Sequence, residues 1–156
     1  MPSEPLRKAT LDLDSFVPYR LSVLSNRVSS AIARQYSQAF GLTIAEWRVM
    51  AVLGGTSGLS AREVAHRTAM DKVQVSRAVA SLMRSGRVAR AGDSKDGRVT
   101  RLSLTPKGRA IYNEIVPMAL GLEESLLSAL SAPERQTFDR LMIKLARQAQ
   151  LIGAQR

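Results

Sequence analysis

Three observations in this 156-residue sequence predict a mainly α chain with a small antiparallel β-wing, a winged helix-turn-helix plus a helical dimerisation region. The spacings Thr43-x-x-Glu46, Ser60-x-x-Glu63 and Asp71-x-x-Gln74 each precede a short apolar pattern and read as capping boxes, so helices should start at residues 44, 61 and 72. Two β-like runs, 88–91 and 99–104, flank a polar connection rich in turn formers. Long patterns of helical period lie on either side and carry more apolar surface than a compact winged unit of this size can cover. A symmetric dimer is the simplest way to bury the excess. The organisation expected is one domain over 1–156, with the winged helix-turn-helix part at 43–104 and dimerisation helices at 12–42 and 105–156.

The first long element should run over residues 15–40 and end at Gly41, with Pro18 tolerated in its first turn. Val17, Leu21, Leu24, Val28 and Ala31 recur at steps of four and three, which suits packing against other helices. Arg20, Arg27 and Arg34 are spaced by heptads and therefore share a face. They either solvate and salt-bridge the edge of a helical seam or hold an anionic ligand such as the phosphates of an acyl-CoA.

Thr43 opens a short helix reaching about residue 53 and stopped by Gly54 and Gly55. Trp47, Val49, Met50, Val52 and Leu53 spread too widely around it for a surface helix, so it should be buried. Trp47 is the only tryptophan and reads as core, or as the floor of a ligand pocket. Gly58 and Leu59 should add a very short third strand. The helix from residue 61 buries Val64 and Ala65. The next begins near Lys72, buries Val75, Val79, Leu82 and Met83, and ends at Gly86. Its opposite face presents Lys72, Gln74, Ser76 and Arg77. Short polar and cationic groups on the first turns of a helix suit major-groove readout.

The connection between the two strands carries Asp93 and Asp96 against Lys95 and Arg98. An arginine-bearing β-tip fits the negative potential of the minor groove. Asp96 should brace Arg98, because a carboxylate facing phosphates is repelled. After the wing, Thr105 caps a helix over residues 107–130, bent at Pro117. Ser131 and Glu134 box the start of a terminal helix with Phe138, Leu141, Met142, Leu145 and Ala149 on one face.

Composition narrows the function classes. The formal net charge is +10, and residues 61–109 hold twelve of the 23 basic side chains but four of the 13 acidic ones, a local net charge of +8 against +2 for the rest. Such clustering marks a polyanion partner, and nucleic acid is favoured over a membrane because the segment lacks a large exposed apolar face. The absence of cysteine excludes disulfides and thiolate metal sites. A single histidine, His66, neither builds a zinc site nor finds a nucleophile to serve, so neither a metal nor a catalytic role is expected. Glu123 and Glu124 are splayed by about 100° on a helix and read as solvated. No cofactor loop is present, and no long apolar run or signal peptide, so a cytoplasmic protein is expected.

The order DKxxVSRxVxxLxxxGxVxRxxDxxDGRxxRLxLTxKG, from Asp71 to Gly108, resembles the MarR family of bacterial transcription regulators. The resemblance is specific over residues 60–109 and looser across the helical flanks. It implies a dimeric winged-helix protein binding a pseudo-palindromic operator, usually as a repressor released by a small ligand. It places Val73, Gln74, Ser76 and Arg77 at base- and phosphate-facing positions of the recognition helix, and Asp96 with Arg98 at the wing motif. Val73 and Gln74 stand where small hydroxyl residues are common, and Lys95 where arginine is frequent; these departures bear on the operator sequence, not on DNA binding. Similar proteins bind aromatic acids between the helices around Trp47, so an aromatic acid or acyl-CoA joins Trp47 and the Arg20, Arg27, Arg34 stripe as the expected effector site. Cysteine-based oxidant sensing, used by some members, is excluded. The competing reading is an architectural or non-specific nucleic-acid-binding protein, for which basic charge alone suffices.

Overall fold

The computed structural model describes residues 10–154, in the order α1 (Val17–Phe40), α2 (Ile44–Gly55), α3 (Ala61–Thr68), α4 (Lys72–Arg84), β1 (Val88–Gly92), β2 (Thr100–Leu104), α5 (Pro106–Leu127) and α6 (Ala132–Ala154). The chain divides into two compact units, one reaching Asn113 and the other starting at Glu114.

In the first unit, all three short helices start on the boxes that the sequence announces. Thr43 accepts from the Glu46 amide while Glu46 accepts from that of Thr43, and Ser60 with Glu63 and Asp71 with Gln74 repeat the exchange. Each box satisfies amides that a helix start leaves without partners. α1 begins two residues later than expected, because Asp12 and Ser15 hydrogen-bond locally in a preceding turn, and it ends at Gly41 in the left-handed conformation. α2 runs through Gly54 and Gly55 instead of stopping before them; Arg109 donates to the Gly54 carbonyl over 2.8 Å, giving the helix end an acceptor's partner.

The core of this unit is made by Val49, Met50 and Leu53 of α2, Val64 of α3, and Val75 and Leu82 of α4, all buried. Ala78 is buried on α4, whereas Val79 and Met83 are only half-buried and open onto a groove. β1 and β2 pair antiparallel with Val88 opposite Leu104 and Arg90 opposite Leu102. The expected third strand is a single bridge, Leu59 to Leu102, with the Leu102 amide donating to the Leu59 carbonyl over 2.8 Å. One bridge is all that Gly58 and Leu59 supply before Ser60 turns the chain into α3.

In the second unit, α5 continues through Pro117 and ends at Leu127, three residues short of the expected end. At the start of α6 half of the expected box forms: Glu134 Oε2 accepts from the Ser131 amide over 2.7 Å and from its hydroxyl over 2.8 Å. Glu124, expected to be solvated, pairs with Arg135 through two hydrogen bonds of 2.9 and 3.0 Å. α6 buries none of its side chains; Phe138, Leu141, Met142 and Leu145 remain exposed along it.

Candidate nucleic-acid interface

The surface with the strongest claim to a function is built from α3, α4 and the β1–β2 hairpin. Burial of Val75, Ala78 and Leu82 fixes the rotation of α4, and that rotation turns Lys72, Val73, Gln74, Ser76 and Arg77 outward, all exposed. Val73 is 57% exposed and suited to contact with a thymine methyl in a major groove. Gln74 has a double duty. Its side-chain oxygen accepts weakly from the Asp71 amide at 3.4 Å, which leaves its NH2 group as a free donor.

The turn between α3 and α4 holds Ala69 at φ 53°, a left-handed conformation that disfavours a side chain, and this turn sets the crossing of the two helices. A groove of about 480 Å³ lies between α3, α4 and the hairpin, with Val79, Met83 and Leu102 along its floor and Arg62, Lys72 and Arg90 around it. An apolar floor ringed by three cations can receive a sugar-phosphate strand.

The hairpin connection is organised by Asp93. Its Oδ1 accepts from the amides of Lys95 and Asp96 at 2.7 and 3.3 Å, while the Asp93 amide donates to the Val99 carbonyl. Lys95, Asp96 and Arg98 are all exposed at this tip. The expected brace between Asp96 and Arg98 takes a different form: the Asp96 carboxylate accepts from the Arg98 backbone amide at 3.0 Å, and the guanidinium is not its partner. Asp96 therefore shapes the turn and leaves the Arg98 side chain to extend.

The ion pairs of this region centre on Arg101, a residue of β2 whose partners are distant in sequence. Its Nε donates to Asp93 at 2.7 Å and its Nη1 to Glu63 at 2.9 Å. The backbone amide of Lys95, and after it the Arg101 guanidinium, hold the Asp93 carboxyl below its ordinary range. Glu63 is held down first by the Ser60 amide and hydroxyl and then by Arg101.

The residues expected to form an effector site fall in two places within the first unit. Arg20 and Arg27, both exposed, line one concavity of about 340 Å³ with Asp14, Tyr19, Val23 and Leu24; Arg34, also exposed, is not part of it. Trp47 is half-buried and is not among the residues of that concavity. It stacks between Tyr36 and Tyr112, with ring centroids 5.8 and 6.0 Å away, and the Arg109 guanidinium lies 5.2 Å from the Tyr112 ring. The Tyr36 hydroxyl is buried without a hydrogen-bond partner among the described residues, and desolvation raises its pKa against the opposing field of Arg48.

Comparison with known proteins agrees with this geometry. A family model described as MarR family matches residues 40–99, which span α2 to the wing. An HTH-type transcriptional repressor of Mycobacterium tuberculosis is 28% identical over 131 residues, covering 83% of this chain and 91% of that protein. The crystal structure of a MarR/EmrR family transcriptional regulator from Acinetobacter sp. ADP1 superposes with a TM-score of 0.83 at 26% identity, covering 90% of this chain and 99% of the other. BpsR of Bordetella bronchiseptica, whose DNA binding is regulated by 6-hydroxynicotinic acid, gives a TM-score of 0.76 at 28% identity, covering 88% and 98%. The motif from Asp71 to Gly108, the outward face of α4 and these matches converge on the MarR family of winged helix-turn-helix transcription regulators, whose model this chain matches from α2 through the wing.

Proposed function

We propose that this regulator binds a pseudo-palindromic DNA operator as a homodimer and represses transcription until a small anionic effector releases it. The observation that carries the reading is the outward set Lys72, Val73, Gln74, Ser76 and Arg77 on α4, beside a wing tip that extends Lys95 and Arg98. A helix of that character reads base edges in the major groove while a guanidinium on a β-tip enters the adjoining minor groove. The exposed apolar faces of α1, with Leu21 and Leu24, and of α6, with Leu141 and Leu145, support pairing with a second copy. Such a dimer presents two recognition helices about 34–36 Å apart, one turn of duplex. The cytoplasm, where the operator lies, is its place of action.

For the effector we propose an aromatic carboxylate or its CoA thioester. The half-buried rings of Trp47 and Tyr112, packed with the buried Tyr36, support an aromatic ligand, and the regulation of BpsR by an aromatic acid supports the class. Arg109, with its guanidinium 5.2 Å from the Tyr112 ring, offers charge beside these rings, while Arg20 and Arg27 offer a separate anion contact in their own concavity. A ligand that prefers a dimer with the wrong helix spacing lowers DNA affinity by linkage.

The test is selection of bound duplexes from a random-sequence pool, followed by competition against unselected duplex. A regulator should prefer its selected sequence by roughly a thousandfold or more, whereas an architectural protein bound through charge alone shows almost no preference. Aromatic acids are then titrated while Trp47 fluorescence and release of the selected duplex are followed. Neutral analogues that act as well as the acids would remove the anionic requirement, and release that persists after Arg20, Arg27 and Arg34 are replaced would leave the charge contact to Arg109.

A further inference from the structure

The most connected side chain on the DNA-facing half of the molecule is one that the DNA-binding reading leaves without a role. Arg101 sits on β2 and bridges two elements: Asp93, at the root of the wing connection, and Glu63, in the capping box that starts α3. Its Nη1 also lies 3.5 Å from the Gly58 carbonyl. Asp93 passes the constraint outward, because its second oxygen holds the amides of Lys95 and Asp96, and Asp96 in turn holds the amide of Arg98. A continuous chain of hydrogen bonds thus runs from the first turn of α3, through Arg101, to the backbone of the residue whose side chain extends from the wing tip.

Arg101 is a poor candidate for touching DNA itself. Its guanidinium is already shared between two carboxylates, which leaves little of its positive charge for a phosphate. Nor does its value lie in global stability. Arg101 and Glu63 are 37% and 47% exposed on their side chains, and exposed pairs contribute little to unfolding. The Asp93 carboxylate, at 14%, is the covered end of the network. The segment before α3 is otherwise joined to the hairpin by the Leu59–Leu102 bridge and a Ser57–Ser103 hydroxyl hydrogen bond, which fix the base of β2 but not the direction of the seven-residue connection beyond Gly92.

We propose that Arg101 is a positioning residue for DNA binding, locking the wing to α3 so that Arg98 is presented to the minor groove while α4 occupies the major groove. The inference rests on the DNA-binding reading above and adds to it a residue that acts through another. Because the wing pose is held against α3, minor-groove and major-groove contacts are set in one register.

The experiment is a double-mutant cycle in the full-length protein, with a duplex that the wild type has selected from a random-sequence pool as the probe. Arg101→Gln should weaken binding about tenfold, a coupling in the middle of the range for contacting groups. In an Arg98→Ala background the same substitution should weaken binding no more than about twofold, since the side chain it positions is gone. The salt dependence should keep its slope, because no phosphate contact is lost, and the midpoint of thermal unfolding should hardly move. Arg101→Lys, a point charge that cannot fork to both carboxylates, should recover only part of the affinity. If Arg101→Gln does not fold, Asp93→Asn takes its place in the cycle. Losses at positions 98 and 101 that simply add, or a salt slope reduced by about one, would overturn the positioning role while leaving DNA binding intact. An Arg98→Ala variant with wild-type affinity would overturn it as well, by showing that the wing tip makes no contact. A wild type that selects no duplex would sink the regulatory reading, and the role of Arg101 would fall with it.

Discussion

Replacing Gly108 with alanine tests the junction that joins the recognition helix, the hairpin and α5. Gly108 is in the first turn of α5 and buried; a β-carbon there would overlap the Arg87 carbonyl oxygen and stand 2.9 Å from the carbonyl carbon and 3.3 Å from the Cα. The carbonyl cannot swing away freely, because it accepts from the Thr105 amide at 3.0 Å. Overpacking of this kind costs about 1–3 kcal/mol, and loosening the hydrogen bond adds about 1 kcal/mol. Alanine's better helix propensity returns at most about 1 kcal/mol. The net expectation is about 2 kcal/mol of destabilisation, which for a chain of this length lowers the melting temperature by about 6 °C. The control is Gly121→Ala in the same helix, where nothing stands within 4 Å of the new methyl, and which should raise stability by up to about 1 kcal/mol. Thermal denaturation followed by circular dichroism measures both. A Gly108→Ala protein as stable as the wild type, or shifted like Gly121→Ala, would refute the close approach of α5 to Arg87.

Ala69 sits at φ 53° in the turn before α4, so Ala69→Gly should relieve roughly 1–2 kcal/mol of left-handed strain, less about 0.4–1 kcal/mol of added chain entropy in the unfolded state. The balance runs from about zero to a gain of about 1.6 kcal/mol, so a lowered melting temperature would show that the turn does not carry the strain. Arg77→Ala should weaken binding to a selected duplex while leaving unfolding nearly unchanged, and a phosphate contact there would reduce the salt slope by about one; undiminished affinity would mean that the DNA-facing side of α4 is wrongly assigned. The carboxyls of Glu63 and Asp93 are held below their ordinary range, by the Ser60 and Lys95 amides first and by Arg101 after them. The stability they contribute is therefore complete above the unfolded carboxylate pKa of about 4 and is lost as pH falls through the lower folded values. Melting curves between neutral and acid pH should show this loss, and Asp93→Asn should flatten it; an equally steep fall in the variant would assign the acid sensitivity elsewhere.

The sequence by itself determined what depends on partners three or four residues apart. The boxes at Thr43, Ser60 and Asp71, and Glu134 reaching back to Ser131, put four helix starts in place, because these short side chains reach only their own first turns. The outward set of α4 was legible for the same reason: Val75 and Leu82 mark the buried stripe, and what lies opposite is exposed. Element ends were less legible where the deciding contact is distant. Gly54 and Gly55 stay helical while Arg109, 55 residues away in sequence, donates to the Gly54 carbonyl.

Only the tertiary structure decided how the wing is held. The short spacing of Asp96 and Arg98 suggested a side-chain pair, but in a tight turn the nearer donor to that carboxylate is the backbone amide. Arg101 looked like one more alternating strand residue, since its partner Glu63 is 38 positions away and faces it only once Leu59 has bridged to Leu102. Trp47 and the arginine stripe went to different surfaces in the same way, because rings at 36, 47 and 112 meet only when α1, α2 and α5 pack. Local hydrogen bonds are written in the spacing of residues along the chain. The direction of a long charged or aromatic side chain is chosen among many partners of similar energy, and burial and long-range pairing make that choice.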